Sequence, residues 1–143
     1  YVIGGRRGGR AAVRIAGKGD VTESGVVWST SGGAYVPSPV LHNGHLYWIN
    51  DNGIASCVDA STGDQVARKR LGGRFYASVT LINDKLYAVN RSGKTHVLKA
   101  TPEFEQIALN TLTDSSEFCG SPAVSNGQLY LRSDEFLYCI ETP

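Results

Sequence analysis

Methionine is missing from all 143 residues, position 1 included. The chain opens Tyr1-Val2-Ile3-Gly4 and stops at Thr142-Pro143, which reads as an excised piece of a longer protein. Charge is sparse: Asp, Glu, Lys and Arg make up 19% of residues and the net charge is +1, so no global field draws the chain to nucleic acid or a membrane. No run approaches the roughly 20 apolar residues of a membrane span. No secretion leader is visible, and an internally starting piece would have lost one. The three cysteines, Cys57, Cys119 and Cys139, show no CxxC or Cys/His spacing that suits zinc. Cys57 and Cys139 fall at nearly equivalent places in non-adjacent repeats, too far apart to bridge, so buried free thiols are expected. No Gly-x-Ser-x-Gly elbow occurs, and no Lys-Ser/Thr follows the glycines as a phosphate loop requires.

What the chain has is repetition. The stretch Val40-Leu41-His42-Asn43-Gly44-His45-Leu46-Tyr47-Trp48-Ile49-Asn50 returns as Thr80 to Asn90 and again as Ala123 to Ser133. Tyr47 and Tyr87 are 40 residues apart, Tyr87 and Tyr130 are 43 apart, and the spacing is that of a propeller blade. Each repeat reads as four strands. In the first, Tyr35 to His42 is entered through Pro37 and Pro39. Asn43-Gly44 is a two-residue hairpin turn whose residues both take positive φ. Leu46 to Ile49 is apolar on both faces, as a sheet stacked on both sides requires. Ile54 to Asp59 follows, and Gln65 to Leu71 forms a polar outer edge. The second repeat runs Phe75 to Ile82, Leu86 to Asn90, Thr95 to Lys99 and Glu105 to Leu112. The third runs from near Phe118 to Ile140 without a fourth strand. Before them, Ala11 to Ile15 and Val26 to Thr30 read as strands of a partial blade, with Gly17-Lys18-Gly19-Asp20 between them. The expectation is an all-β β-propeller of about three and a half four-stranded blades, part of a ring of about seven or eight. Its divisions are 1–34, 35–73, 74–113 and 114–143.

The residues also carry a family likeness. Ser38-Pro39-Val40 and Ser121-Pro122-Ala123 lead into the first strands, Leu-Tyr recurs in the second, and Cys57-Val58-Asp59-Ala60-Ser61-Thr62-Gly63 closes the third. These resemble the pyrroloquinoline-quinone-like (quinoprotein-type) propeller repeats of quinoprotein dehydrogenases and of the outer-membrane-assembly scaffold lipoprotein. Gly17 to Thr22, followed by Val26-Val27-Trp28, is similar to a subgroup common in planctomycete-type bacteria. The resemblance implies a quinoprotein-like propeller and an extracytoplasmic, periplasmic setting. It also implies a Trp on each outer strand that docks neighbouring blades. Trp28 fills that role in the partial blade, whereas Ala67 and Ile107 stand at the corresponding places, so docking by stacked Trp is expected to be degenerate. The vicinal disulfide and calcium ligands of quinone-binding members have no counterpart here, so no cofactor is expected.

The candidate chemistry is thin. Gly4-Gly5-Arg6-Arg7-Gly8-Gly9-Arg10 reads either as an Arg/Gly nucleic-acid contact or as a glycine loop with solvated arginines. Absent aromatic interleaving and the near-neutral charge favour the loop. His42 and His45 flank a turn whose only nearby third ligands are Asn50 and Asp51, and His96 has no acid partner. Glu103/Glu105 and Asp134/Glu135 read as solvated turn carboxylates. Neither a catalytic nor a metal site is assigned. Tyr35, Phe75, Tyr76, Glu117 and Phe118 begin the inner strands and are the candidate rim contacts. The expected function is a non-catalytic scaffold that displays these loops to a protein or small ligand. The alternative is a piece of a quinone-dependent dehydrogenase whose active site needs further blades. Further blades of the parent protein, or a second copy, are expected to complete the ring.

Overall fold

Asn43, Asn83 and Asn126 all take positive φ, at 46°, 45° and 51°, and each is followed by a second positive-φ residue. The side-chain amide tolerates the left-handed region, so these three sites set tight hairpins that match strand twist. The computed structural model describes residues 1–5, 8–16 and 18–141. Arg6, Arg7 and Gly17, singled out above within glycine-rich segments, lie outside the described residues, as do Thr142 and Pro143. Every regular element described is a β-strand, and the strands form an arc of antiparallel sheets, a partial β-propeller.

The first sheet holds β1 (Val2–Ile3), β2 (Gly9–Val13) and β3 (Val26–Ser31). The second holds β4 (Val40–His42), β5 (His45–Ile49), β6 (Ile54–Asp59) and β7 (Gln65–Arg70). The third holds β8 (Thr80–Ile82), β9 (Lys85–Val89), β10 (Lys94–Lys99) and β11 (Gln106–Thr111). The fourth holds β12 (Ala123–Ser125), β13 (Gln128–Arg132) and β14 (Leu137–Ile140). The repeats occupy matching places, since Val40 pairs with Tyr47, Thr80 with Tyr87 and Ala123 with Tyr130. The short strand β1 was not expected, and β2 begins two residues before Ala11.

The inner strands are only three residues long, whereas the pattern suggested eight-residue runs from Tyr35 and Phe75. The segments before them bond around the ring instead of along it. The amide of Ser38 donates to Ser78 Oγ at 2.9 Å, and the amide of Ser78 donates to Ser121 Oγ at 2.9 Å. Thr80 Oγ1 adds a bond to the carbonyl of Pro122 at 2.7 Å. One serine per repeat thus links three sheets near their inner edges.

Strand alternation sends successive side chains to opposite interfaces. Leu46, Trp48 and Val58 pack toward the first sheet, with Trp28 and Ile3 against them. Tyr47, Ile49, Ala55 and Cys57 pack toward the third, against Phe75, Leu86, Leu98 and Phe104. Ala77, Val89 and Phe118 fill the next gap with Tyr138. Full burial of each large apolar side chain stabilises by about 1.5–3 kcal/mol.

The first interface docks as the resemblance implied. Trp28 Nε1 donates to the carbonyl of Ala60 at 3.0 Å, and the indole lies flat on Gly63. A Cβ on Gly63 would sit 2.6 Å from the indole, and its φ of 79° is a region only glycine enters freely. The second interface is reversed in volume, not degenerate. Each outer strand carries a bulge, and Trp28, Ala67 and Ala108 are the residues just beyond it. Ala108, not Ile107, is therefore the true equivalent; Ile107 is the bulged residue and is exposed. Opposite Ala67, the position equivalent to Gly63 is Phe104, at φ 47° and fully buried. Its ring meets Tyr47 edge-on at 5.8 Å, and its carbonyl accepts a bond from Lys69 Nζ at 2.7 Å. The large residue has moved from one side of the joint to the other.

The outer faces of the first and fourth sheets expose Val2, Val27, Leu137 and Ile140. Cys139 is exposed because none of the described residues covers that face of the fourth sheet, whereas its equivalent, Cys57, is sealed against the third. The expectation of buried thiols therefore holds for Cys57 alone; Cys119 and Cys139 are exposed, and all three are free.

Candidate functional site at the rim of the arc

The hairpin turns after Asn43, Asn83 and Asn126 lie at one end of the sheets; the turns that begin at Asn50, Asn90 and Ser133 lie at the other. These latter turns are locked by their first residue. Asn50 Oδ1 accepts from the amides of Asn52 and Ile54, both at 3.0 Å. Asn90 Oδ1 accepts from the amides of Ser92 and Lys94 and from Ser92 Oγ. Ser133 Oγ does the same for Glu135 and Phe136.

The segments leading into the third and fourth sheets are bonded to these turns. The Phe75 amide donates to the Asp51 carbonyl, and the Arg91 amide to the Arg74 carbonyl at 2.8 Å. The Phe118 amide donates to the Arg91 carbonyl at 3.1 Å, and the Asp134 amide to the Glu117 carbonyl at 2.9 Å. Tyr35 joins through its amide, which donates to Asp51 Oδ1 at 3.1 Å. The result is a continuous hydrogen-bonded rim.

The five residues picked from the sequence divide in two. Phe75 and Phe118 have no exposed surface, so they sit beneath the rim and not on its face. Alternation along the lead-in segment turns them inward. Phe75 packs 5.9 Å from His96, and Phe118 stacks 6.0 Å from Tyr138 and covers Gly93. They anchor the rim from beneath. Tyr35, at 43% exposure, and the partly exposed Tyr76 surround a cleft of about 390 Å³ together with Asp51 and Arg74. Glu117 is exposed and ion-paired with Arg91. Arg91 also lies 4.6 Å over the Tyr76 ring, a cation–π contact that fixes the ring. The hydrogen bond that Arg91 donates to Glu117 raises the Arg91 pKa. Arg74 and Arg91 carry no signal in the sequence, because what joins them to the tyrosines is the meeting of two consecutive repeats.

The other candidates serve structure. His42 Nε2 lies 3.1 Å from Asp84 Oδ1, bridging two sheets at the opposite end. His45 Nδ1 sits 2.9 Å from the Asn43 carbonyl. His96 is buried, with Gln106 Oε1 3.1 Å from its Nδ1. Arg10, read as one of the solvated arginines of a glycine loop, is instead a buried member of β2. Among the described residues, no three His, Cys, Asp or Glu side chains converge as metal ligands. Among the described residues, no helix is long and apolar enough to cross a membrane.

No family model matches the chain, and no curated protein matches it. Solved structures do. BamB from Moraxella catarrhalis aligns with a TM-score of 0.64 at 17% identity, over 82% of this chain and 37% of that one. The WD40 β-propeller domain of Doa1 aligns with a TM-score of 0.63 at 20% identity, over 80% of this chain and 40% of that one. The chain therefore spans about two fifths of these structures, and its likeness to both is one of fold: an arc of a β-propeller.

Proposed function

We propose that the chain is a non-catalytic propeller scaffold of the quinoprotein-like type, with an extracytoplasmic setting, that displays its rim to an extended protein segment. The observation that carries this reading is the bonded rim, in which Tyr35, Asp51, Arg74 and Tyr76 surround one cleft. A scaffold binds well when its contact groups are held before the partner arrives, because less conformational entropy is lost on docking. Aromatic faces and a guanidinium are also the groups that dominate protein interfaces. Tyr35, Arg74, Tyr76 and Glu117 lie in the segments that lead into the inner strands, so the blades at 35–73, 74–113 and 114–143 each contribute one loop.

The test is selection of binding peptides from a displayed random library, followed by affinity measurement on variants. Tyr76→Ala and Arg74→Ala should each weaken the selected peptides about tenfold or more. Asp84→Asn, at the opposite end, should leave affinity unchanged. Selected peptides that bind both rim variants as tightly as the unmodified chain overturn the proposal.

A further inference from the structure

Arg10 lies between the first and second sheets with 7% of its surface exposed. Its Nη1 donates to the Ser31 carbonyl at 2.9 Å and to the Gly32 carbonyl, and its Nη2 donates across the interface to the Gly63 carbonyl at 3.1 Å. The guanidinium carbon stands 5.5 Å from the centre of the Trp48 ring. Its Nε is buried and has no hydrogen-bond partner. None of the ion pairs among the described residues includes Arg10. The charged neighbour that acts on it is Arg68, of like sign; burial first and Arg68 second lower the Arg10 pKa.

A buried cation facing a second cation is an unfavourable arrangement unless negative charge arrives from somewhere. Three carbonyl dipoles offset part of the charge. They leave the Nε–H unmet, and Nε–H beside Nη2 is the edge with which arginine grips an oxyanion in two-point fashion. A cleft of about 410 Å³ opens at this place, lined by Arg10 and Arg68 and by the polar groups of Thr30, Asn50, Ser56 and Gln65. No carboxylate side chain lines it. The cleft has room for a small molecule larger than a bare ion.

We propose that this cleft is an anion-binding site that takes the carboxylate or phosphate group of a small ligand, held between Arg10 and Arg68. The site is distinct from the rim cleft and does not depend on the proposed scaffold role. Arg10 supplies a guanidinium held in place by its carbonyl bonds within the interface, and Arg68, on the exposed β7, supplies charge at the mouth. Occupancy would also tie the first sheet to the second, since Arg10 and the cleft lining come from both.

The experiment uses the whole chain with inorganic phosphate and acetate as probes, each compared with sodium chloride at matched ionic strength. Titration calorimetry and thermal unfolding are recorded for the unmodified chain, for Arg68→Gln and for Arg10→Lys. Arg68 is exposed, so Arg68→Gln retains the fold. Saturable heat and a rise in Tm beyond the chloride control are expected for at least one probe. Arg68→Gln should weaken that probe about tenfold, the worth of one charge-assisted hydrogen bond. Arg10→Lys, which keeps charge but removes the fork, should weaken it further or fail to fold; Arg68→Gln decides the matter in either case. Stronger binding of phosphate points to a phosphorylated ligand, and stronger binding of acetate to an organic acid. Equal responses of the unmodified chain and Arg68→Gln to both probes, or no response beyond chloride, overturn the site.

Discussion

Exchanging the two halves of the second interface for those of the first is a direct probe of how the blades dock. In the first joint the large residue is Trp28 and the small one Gly63; in the second the small residue is Ala67 and the large one Phe104. Phe104→Gly alone empties a buried ring position, a loss of about 3–5 kcal/mol. Relief of the left-handed backbone at φ 47° offsets about 1 kcal/mol of that. Ala67→Trp alone drives an indole against a place already occupied, at about 1–3 kcal/mol. If the two sites were independent, the double variant would lose about 3–7 kcal/mol. Together they rebuild the first joint, with the new indole over the new glycine and the Ala100 carbonyl standing where Ala60 stands for Trp28. The double variant should therefore fall within about 1.5 kcal/mol of the unmodified chain, a coupling of about 1.5 kcal/mol or more, as contacting residues show. Urea titrations followed by far-ultraviolet circular dichroism avoid the signal of the added indole. An additive cycle would falsify the claim that Trp/Gly and Ala/Phe are two solutions to one packing problem.

Two further outcomes follow from single side chains. Bonds from Ser133, Ser116 and Tyr138 hold the Asp114 carboxyl down at about 2, below its usual 3.8. Because the folded pKa is the lower one, its contribution is present above the ordinary value and fades as pH falls from about 4 toward 2. Asp114→Asn should flatten the acid limb of the stability curve in that window, and an unchanged limb in thermal scans refutes the role. Cys57, whose thiol pKa is pushed up by burial, should resist thiol reagents in the native chain, while Cys119 and Cys139 react. Labelling of Cys57 as fast as Cys119, read by mass spectrometry of digests, contradicts the packing of the second and third sheets. Protection of Cys139 would report a blade or a second copy covering the fourth sheet.

Much of the arc was legible because it is local. Asn-Gly and Asn-Asp turns need positive φ, strands buried on both faces read as continuous apolar runs, and both recur near every fortieth residue. These are properties of a few consecutive residues, and they fixed the strand pairing and the all-β class. The register past each bulge was not legible, since one extra residue shifts equivalence from Ile107 to Ala108 and nothing nearby marks it. The partition of the rim was hidden as well: Phe75 and Tyr76 are neighbours in sequence, yet one points into the core and the other toward solvent.

The amino-acid order by itself determined the repeated sheet and its turns, through backbone preference and alternation. Only the tertiary structure decided what the sheets do to one another. It set a serine link running between repeats, moved the bulk of a missing Trp to Phe104 on the facing blade, and placed Arg10 in an interface without a counter-charge. Each of these joins residues about twenty or more positions apart, where no short-range rule of backbone conformation reaches.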